Sequence, residues 1–195
     1  RLDLALYDAA IRTTTPAPLP EIAIVNIDDA SLAALGPWPW SRDIHARLID
    51  QLAASGAKTI VHTAYFTEPQ SDRGLGHVRK IRELLAASGD NGPLATELSR
   101  IAAGADQALD TDARLASAIQ RAGNVLLASR YASAGTPTAL PSHVRRSTLP
   151  DPGTFATPVQ SAQHPAGNLG ASAAAVGHLY PEVDEDGKTR RVPLL

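Results

Sequence analysis

The spacing of apolar and polar positions predicts strands and helices that alternate along the chain. A short apolar run rich in β-branched residues at 21–27 is typical of a buried strand, and similar runs occur at 59–66 and 125–128. Between the first two runs, Ser41 is a suitable cap for a helix that ends near Gly56. This β-α-β order with short joins implies parallel strands linked by a right-handed crossover.

The first residues predict a helix that could extend beyond the domain. Residues 2–12 carry two apolar lines at helical spacing, and residues 13–20 form a proline-rich linker. One line is Leu2, Leu6 and Ala9, and the other is Leu4, Tyr7 and Ile11. A helix that packs on one core needs a single apolar face, so we expect a signalling stalk and a dimer contact. The alternative is that the chain itself covers both lines.

The remainder of the chain completes the predicted α/β domain. Helices are expected between residues 70 and 122, and residues 132–170 are expected to be a mostly irregular surface excursion. Asp186-Gly187 between Val176–Tyr180 and Thr189–Val192 indicates an antiparallel hairpin. We therefore predict one domain over 1–195: a stalk helix and linker at 1–15, and a core over 21–195. The core would have three layers, with parallel strands and crossover helices, plus the C-terminal hairpin.

Composition excludes several classes of function. The absence of cysteine excludes disulfides, thiol catalysis and thiolate metal sites, and a net charge of −2 gives no broad basic face for nucleic acid. There is no methionine, so we expect the chain to come from a longer protein or a processed precursor. Both ends interrupt apolar patterns, which fits either arbitrary boundaries or membrane segments removed on both sides. No apolar run approaches the ~18 residues of a membrane span.

Polar and aromatic residues follow the first two predicted strands. In an open α/β sheet, the carboxyl ends of the strands are where ligands bind. A ligand pocket is therefore predicted there, lined by some of Asp28, Asp29, Trp38, Trp40, Arg42, Thr63, Tyr65 and Glu68. Structural roles remain open for the same residues. An aspartate could cap the next helix, at least one tryptophan could cover the core, and Arg42 could pair with Asp28 or Glu68 and hold the loop.

No other pattern in the sequence assigns a chemical step. The six histidines are scattered without the spacing of a zinc enzyme, and His62 fits a core histidine in a strand better than a ligand. There is neither a nucleophile elbow nor a glycine-rich phosphate loop. We accordingly assign no catalytic residue, no metal ligand and no cofactor.

Four segments resemble the CHASE sensory domain of type two, an extracellular domain associated with cyclases and histidine kinases. The most specific is Ile24–Leu32 followed by Gly36-Pro-Trp-Pro-Trp-Ser-Arg42 and His45. Asp8–Arg12 is similar to the family's opening helix, and Phe66-Thr-Glu-Pro69 to the motif after its second strand. The closing segments are Asp112–Ala128, Gly177-His178 and Asp186–Leu194. The likeness covers almost the whole chain.

The resemblance implies an extracytoplasmic sensor, in the periplasm or at the cell surface, belonging to a bacterial membrane receptor. Membrane helices would flank it, a cyclase, kinase or diguanylate cyclase would follow in the cytoplasm, and the receptor would be a homodimer that responds to a small-molecule or environmental signal. Two features depart from the family: Thr63 stands where relatives usually carry aspartate, and the join over 70–110 is long. The alternative is an extracytoplasmic hydrolase or binding protein that uses Asp28, Asp29 and Glu68.

Overall fold

The computed structural model describes residues 2–14, 17–70, 72–132, 134–136, 139–150, 153, 159–180 and 182–191. The chain forms two compact units, Arg1–Pro39 and Trp40–Leu195. The boundary between them therefore falls inside the Pro-Trp-Pro-Trp motif.

The described residues of the first unit form two helices, α1 (Leu2–Thr13) and α2 (Asp29–Leu35). The strand predicted at 21–27 is wrong: residues 22–28 have neither helical structure nor strand pairing, and Ile24 is 81% exposed. The physical reason is that a strand needs a partner, and the described part of this unit contains no other strand. The β-branched run has the composition of a strand but no ladder within its own unit.

The second unit holds the sheet and the remaining helices. Its helices are α3 (Arg42–Ala54), α4 (Arg73–Ser88), α5 (Pro93–Leu109), α6 (Thr111–Ala122), α7 (Ser142–Arg145) and α8 (Gly167–Ser172). Its strands are β1 (Ile60–His62), β2 (Val125–Ala132), β3 (Ser161–Gln163), β4 (Ala175–His178), β5 (Glu182–Val183) and β6 (Thr189–Arg191). The fold is thus mixed α/β, and its first strand is the second of the three predicted runs.

The long strand β2 is central to the sheet. It pairs in parallel with β1 and β4, and its C-terminal half pairs antiparallel with β3. The predicted core of parallel strands is seen for the runs at 59–66 and 125–128, with Ile60 opposite Val125. The predicted β-α-β unit that joins 21–27 to 59–66 is wrong, because residues 21–27 are not a strand. Helices α3, α6 and α8 contribute the buried side chains of Ile49, Leu115 and Leu169, which cluster with Leu127 of β2. These contacts form the core of the unit.

The C-terminal region differs from its prediction in two places. Residues 175–178 were expected in an antiparallel pair, but they join the parallel ladder as β4 because β2 presents a free edge to them. Thr189–Arg191 pairs instead with Glu182–Val183. The excursion at 132–170 is also more ordered than expected, since it contains α7, β3 and α8. Residues 192–195, part of the predicted hairpin, lie outside the described residues.

Candidate functional site

Arg42, the first residue of α3, connects three segments of the second unit. Its Nε donates to Asp112 of α6 at 3.2 Å, and its Nη2 donates to the main-chain oxygen of Glu68 at 3.0 Å. Its guanidinium carbon lies 4.3 Å from the centre of the Phe66 ring. The Arg42 and Asp112 side chains are 15% and 13% exposed, so this ion pair is largely shielded from water. We call Arg42, Phe66, Gln70 and Asp112 the arginine cluster.

Gln70 completes the arginine cluster through both its main chain and its side chain. Its amide donates to Asp112 Oδ2 at 2.8 Å, and its Oε1 accepts from the Arg42 amide and the Thr111 hydroxyl. The start of α3, the end of the loop after β1 and the start of α6 are therefore joined at one place. This arrangement matches the alternative in which Arg42 holds the loop, although the carboxylate that pairs with it belongs to Asp112.

A histidine pair lies next to the arginine cluster. His45 Nδ1 and His62 Nε2 are 3.1 Å apart, and the Ala64 amide donates to His62 Nδ1 at 3.3 Å. Since Nδ1 of His62 accepts, the neutral ring carries its proton on Nε2 and donates it to His45. His62 is thus the partly buried core histidine that its place in the sequence predicts, and its partner is a second histidine.

Both imidazoles are held in their neutral forms. Burial, followed by the positive charge of Arg42, lowers the pKa of His45 to about 4. Burial lowers the pKa of His62 to about 4 as well, with smaller effects from His45 and Arg42. The pair is consequently uncharged at neutral pH and gains protons only in acid.

Three of the eight predicted site residues lie in the first unit. Asp28 is the N-cap of α2, where its Oδ1 accepts from the Ser31 amide at 2.9 Å and from the Ser31 hydroxyl at 2.7 Å. These bonds, that of the hydroxyl first, hold the pKa of Asp28 below its ordinary value. Asp29 is in the first turn of the same helix, and Trp38 is 45% exposed. One aspartate therefore caps a helix, as the structural alternative proposed.

The other five predicted residues lie in the second unit. Trp40 is buried, which confirms that at least one tryptophan covers the core, and Arg42 is committed to its cluster. The side chains of Thr63, Tyr65 and Glu68 are exposed along the loop after β1. The prediction that some of these eight residues line one pocket stays a prediction.

A groove of about 710 Å³ lies elsewhere in the second unit, between α3, α5 and α6. Charged side chains from these helices and from the α5–α6 junction line it, including Asp43, Arg47, Asp50, Asp110 and Arg114. None of the eight predicted residues is among its lining residues. The groove has the size of a small-molecule site, although sequence reasoning did not single out these helices.

A serine and three histidines surround the C-terminal half of β2. Ser129 Oγ lies 2.9 Å from His164 Nδ1, and the Tyr131 ring stacks edge-on with His164 and His178. Burial lowers the pKa of His164 and of the nearby His143. Ser129 is completely buried, so its hydroxyl has no access to an external substrate in this fold. The pair therefore packs the interior rather than forming an exposed nucleophile and base.

Sequence reasoning missed Asp112, Gln70 and the partnership of His45 with His62. His45 and Asp112 each lie in a segment that resembles the family, and this resemblance could have marked them as candidate residues. Gln70 had no such signal, because a single glutamine after a Pro residue is common in loops. Among the described residues, no three His, Asp or Glu side chains converge in a way that could hold a metal ion. No helix in the described part of the chain is long and apolar enough to cross a membrane.

The structure is an α/β domain in which Asp28, Arg42 and Asp112 make contacts that stabilise the fold. The chain belongs to the CHASE2 family, because the CHASE2 domain model matches residues 1–195, its whole length. This is a family of extracellular, non-catalytic sensory domains of membrane receptors. Neither a curated protein nor a solved structure matches the chain significantly.

Proposed function

We propose that the chain is the signal-input domain of a bacterial transmembrane receptor that controls a cytoplasmic cyclase or kinase. The observation that supports this is the family match over the whole chain. The domain lies outside the cytoplasmic membrane, in the periplasm or at the cell surface, and does not itself catalyse a reaction. Binding or loss of a signal changes the populations of two arrangements of the domain, and the flanking segments transmit the difference.

The location of the domain is tested by chemical labelling in the full-length receptor. Because the chain has no cysteine, Leu149→Cys at a 91% exposed position introduces one label site within it. A membrane-impermeant maleimide should label this variant in intact cells, with the unmodified receptor as the background. Ala118→Cys, at a completely buried position, should react only after denaturation. Labelling of Leu149→Cys only after lysis would place the domain in the cytoplasm and refute the proposal.

Two surfaces of the second unit are alternative candidates for the site that binds the signal. The predicted contacts that remain exposed in the second unit are Thr63, Tyr65 and Glu68, whereas the groove between α3, α5 and α6 is lined by charged side chains. Cyclase or kinase output of the full-length receptor should change with Tyr65→Ala if the predicted contacts bind the signal. It should change with Arg114→Ala if the groove does. An output that neither variant alters would remove both surfaces.

Dimerisation through α1 is the second part of the proposal. Along α1, Leu6, Tyr7 and Ile11 are exposed within the first unit, and both predicted apolar lines include such residues. Receptors of this kind need paired subunits because cyclases and histidine kinases work as dimers. Ile11→Glu should weaken self-association of the chain in light scattering, and an unchanged mass would exclude α1 as a contact.

A further inference from the structure

The hairpin formed by α4 and α5 partly buries Leu75, Val78, Leu85 and Leu109 but exposes its other large apolar side chains. Five aliphatic residues are between 42% and 72% exposed, and we call them the hairpin apolar face: Ile81, Leu84, Leu94, Leu98 and Ile101. On α5 the buried residues are instead the small Ala95 and Ala102. A hairpin that served only its own domain would place leucine and isoleucine inside, because they contribute most to burial.

The two helices present these residues on the same side of the hairpin. Arg79 and Arg82 of α4 form ion pairs with Asp106 at the end of α5, which shows that the helices run antiparallel. At 100° per residue, Ile81 and Leu84 lie roughly opposite these arginines on α4. On α5, Ile101 lies about 140° and Leu98 about 80° around the helix axis from Asp106. The ion pairs therefore close one side of the hairpin, and the apolar residues form a continuous strip on the other.

The charges that border the strip favour a second copy over a charged partner. Lys80 and Glu83 pair at 3.1 Å on α4, and Glu97 and Arg100 pair at 2.6 Å on α5. Each border is thus electrically neutral, so a second copy related by a two-fold axis meets no net charge repulsion along these edges. An acidic peptide, a nucleic acid or an anionic lipid surface would require a net positive border, which is not present here.

The size of the strip also suits a symmetric pair. Contiguous exposed apolar patches of more than a few hundred Å² are rare on monomeric proteins. Five half-exposed aliphatic side chains on each of two copies bring the buried area to the order of 1,000 Å², the lower limit of specific interfaces. We propose that the hairpin apolar face is a homodimer interface, in which the α4–α5 hairpins of two copies of this chain pack as a four-helix bundle.

Sedimentation velocity of the 195-residue chain over a range of concentrations tests this interface. A monomer–dimer equilibrium is expected, and Leu98→Glu should raise its dissociation constant by about tenfold to a hundredfold, since a buried leucine contact is lost in both copies. Leu149→Glu, at an exposed apolar position outside the hairpin, is the matched control and should leave the equilibrium unchanged. Circular dichroism confirms that both variants are folded.

Disulfide formation gives a second measurement that does not depend on tight association. Leu98→Cys should form a covalent dimer under mild oxidation, whereas Ser99→Cys, exposed on another side of the same helix, should form much less. Equal cross-linking of the two variants would indicate random collision and overturn the proposal. A strict monomer would also overturn it, as would co-sedimentation of the monomer with anionic lipid vesicles through Leu98. A dimer disrupted by Ile11→Glu but not by Leu98→Glu would assign the contact to α1.

Discussion

Replacement of Arg42 by alanine should destabilise the domain even when no ligand is present. The substitution removes the cation from Asp112, whose carboxylate then lies in a site only 13% exposed. Loss of one partner of a buried ion pair costs about 3–5 kcal/mol. The hydrogen bond to the Glu68 carbonyl and the stacking on Phe66 are lost with it, although the lower end of the range applies because Gln70 still donates to Asp112.

The expected change is well within the reach of thermal unfolding. A loss of about 3 kcal/mol in a domain of this size lowers Tm by roughly 6–12 °C, at 2–4 °C per kcal/mol. Asp112→Ala should have a similar effect. The double variant should lose about 2 kcal/mol less than the sum of the two, because the charges depend on each other.

Differential scanning calorimetry of the ligand-free chain measures these values, with Arg100→Ala as the control. Arg100 also pairs with a carboxylate, that of Glu97, but at an exposed site on α5, so its removal should leave Tm unchanged. If Arg42→Ala also left Tm unchanged, the arginine cluster would not stabilise the fold. Arg42 would then be free to act as a ligand contact, as the sequence allows.

Three further results are expected. In urea unfolding, the free energy of unfolding should fall as the pH drops from 6.5 towards 4, by roughly 3 kcal/mol at pH 5, because His45 and His62 bind protons in the unfolded chain but stay neutral in the folded one. His62→Gln should lose part of this pH dependence, and the same pH dependence in both proteins would contradict the role of the pair. Gly170→Ala should lower Tm because a Cβ there collides with the His143 ring, whereas an unchanged Tm would show that the ring can move aside. Asp110→Ala should cost about 1 kcal/mol by removing the cap of α6, and Asp110→Asn, which retains a capping oxygen, should cost less in the same titration.

The sequence predicted most reliably those elements whose stability is local or comes from a single packed face. Helix α3 begins at Arg42, directly after the predicted N-cap Ser41, although the Ser41 side chain makes no capping bond. Helix α6 ends at Ala122, directly before Gly123, which has a positive φ. The apolar runs at 59–66 and 125–128 also contain strands, and these pair in parallel, as the predicted core of parallel strands requires. These features depend on periodicity and turn chemistry, which one sequence displays.

The failures concern partners that lie far away in the chain. The run at 21–27 has the composition of a strand, but whether a strand forms depends on an available ladder. Residues 175–178 were predicted in a local hairpin, but they pair in parallel with β2, about 50 residues earlier in the chain. The structural alternative paired Arg42 with Asp28 or Glu68, whereas its partner Asp112 lies on a helix whose position no local pattern specifies.

The hydrogen bond between Gln70 and Thr111 also has a consequence for the evolution of the α4–α5 hairpin. The polypeptide leaves the core at Gln70 and returns at Thr111, and the two residues are hydrogen-bonded at 3.0 Å. The intervening segment is thus a closed excursion with adjacent ends, and the entropy needed to close such an excursion grows only with the logarithm of its length. Related genes could therefore lengthen, shorten or exchange this segment without altering the register of β1 and β2. Such a segment can diverge among receptors while the sheet that supports it is inherited intact.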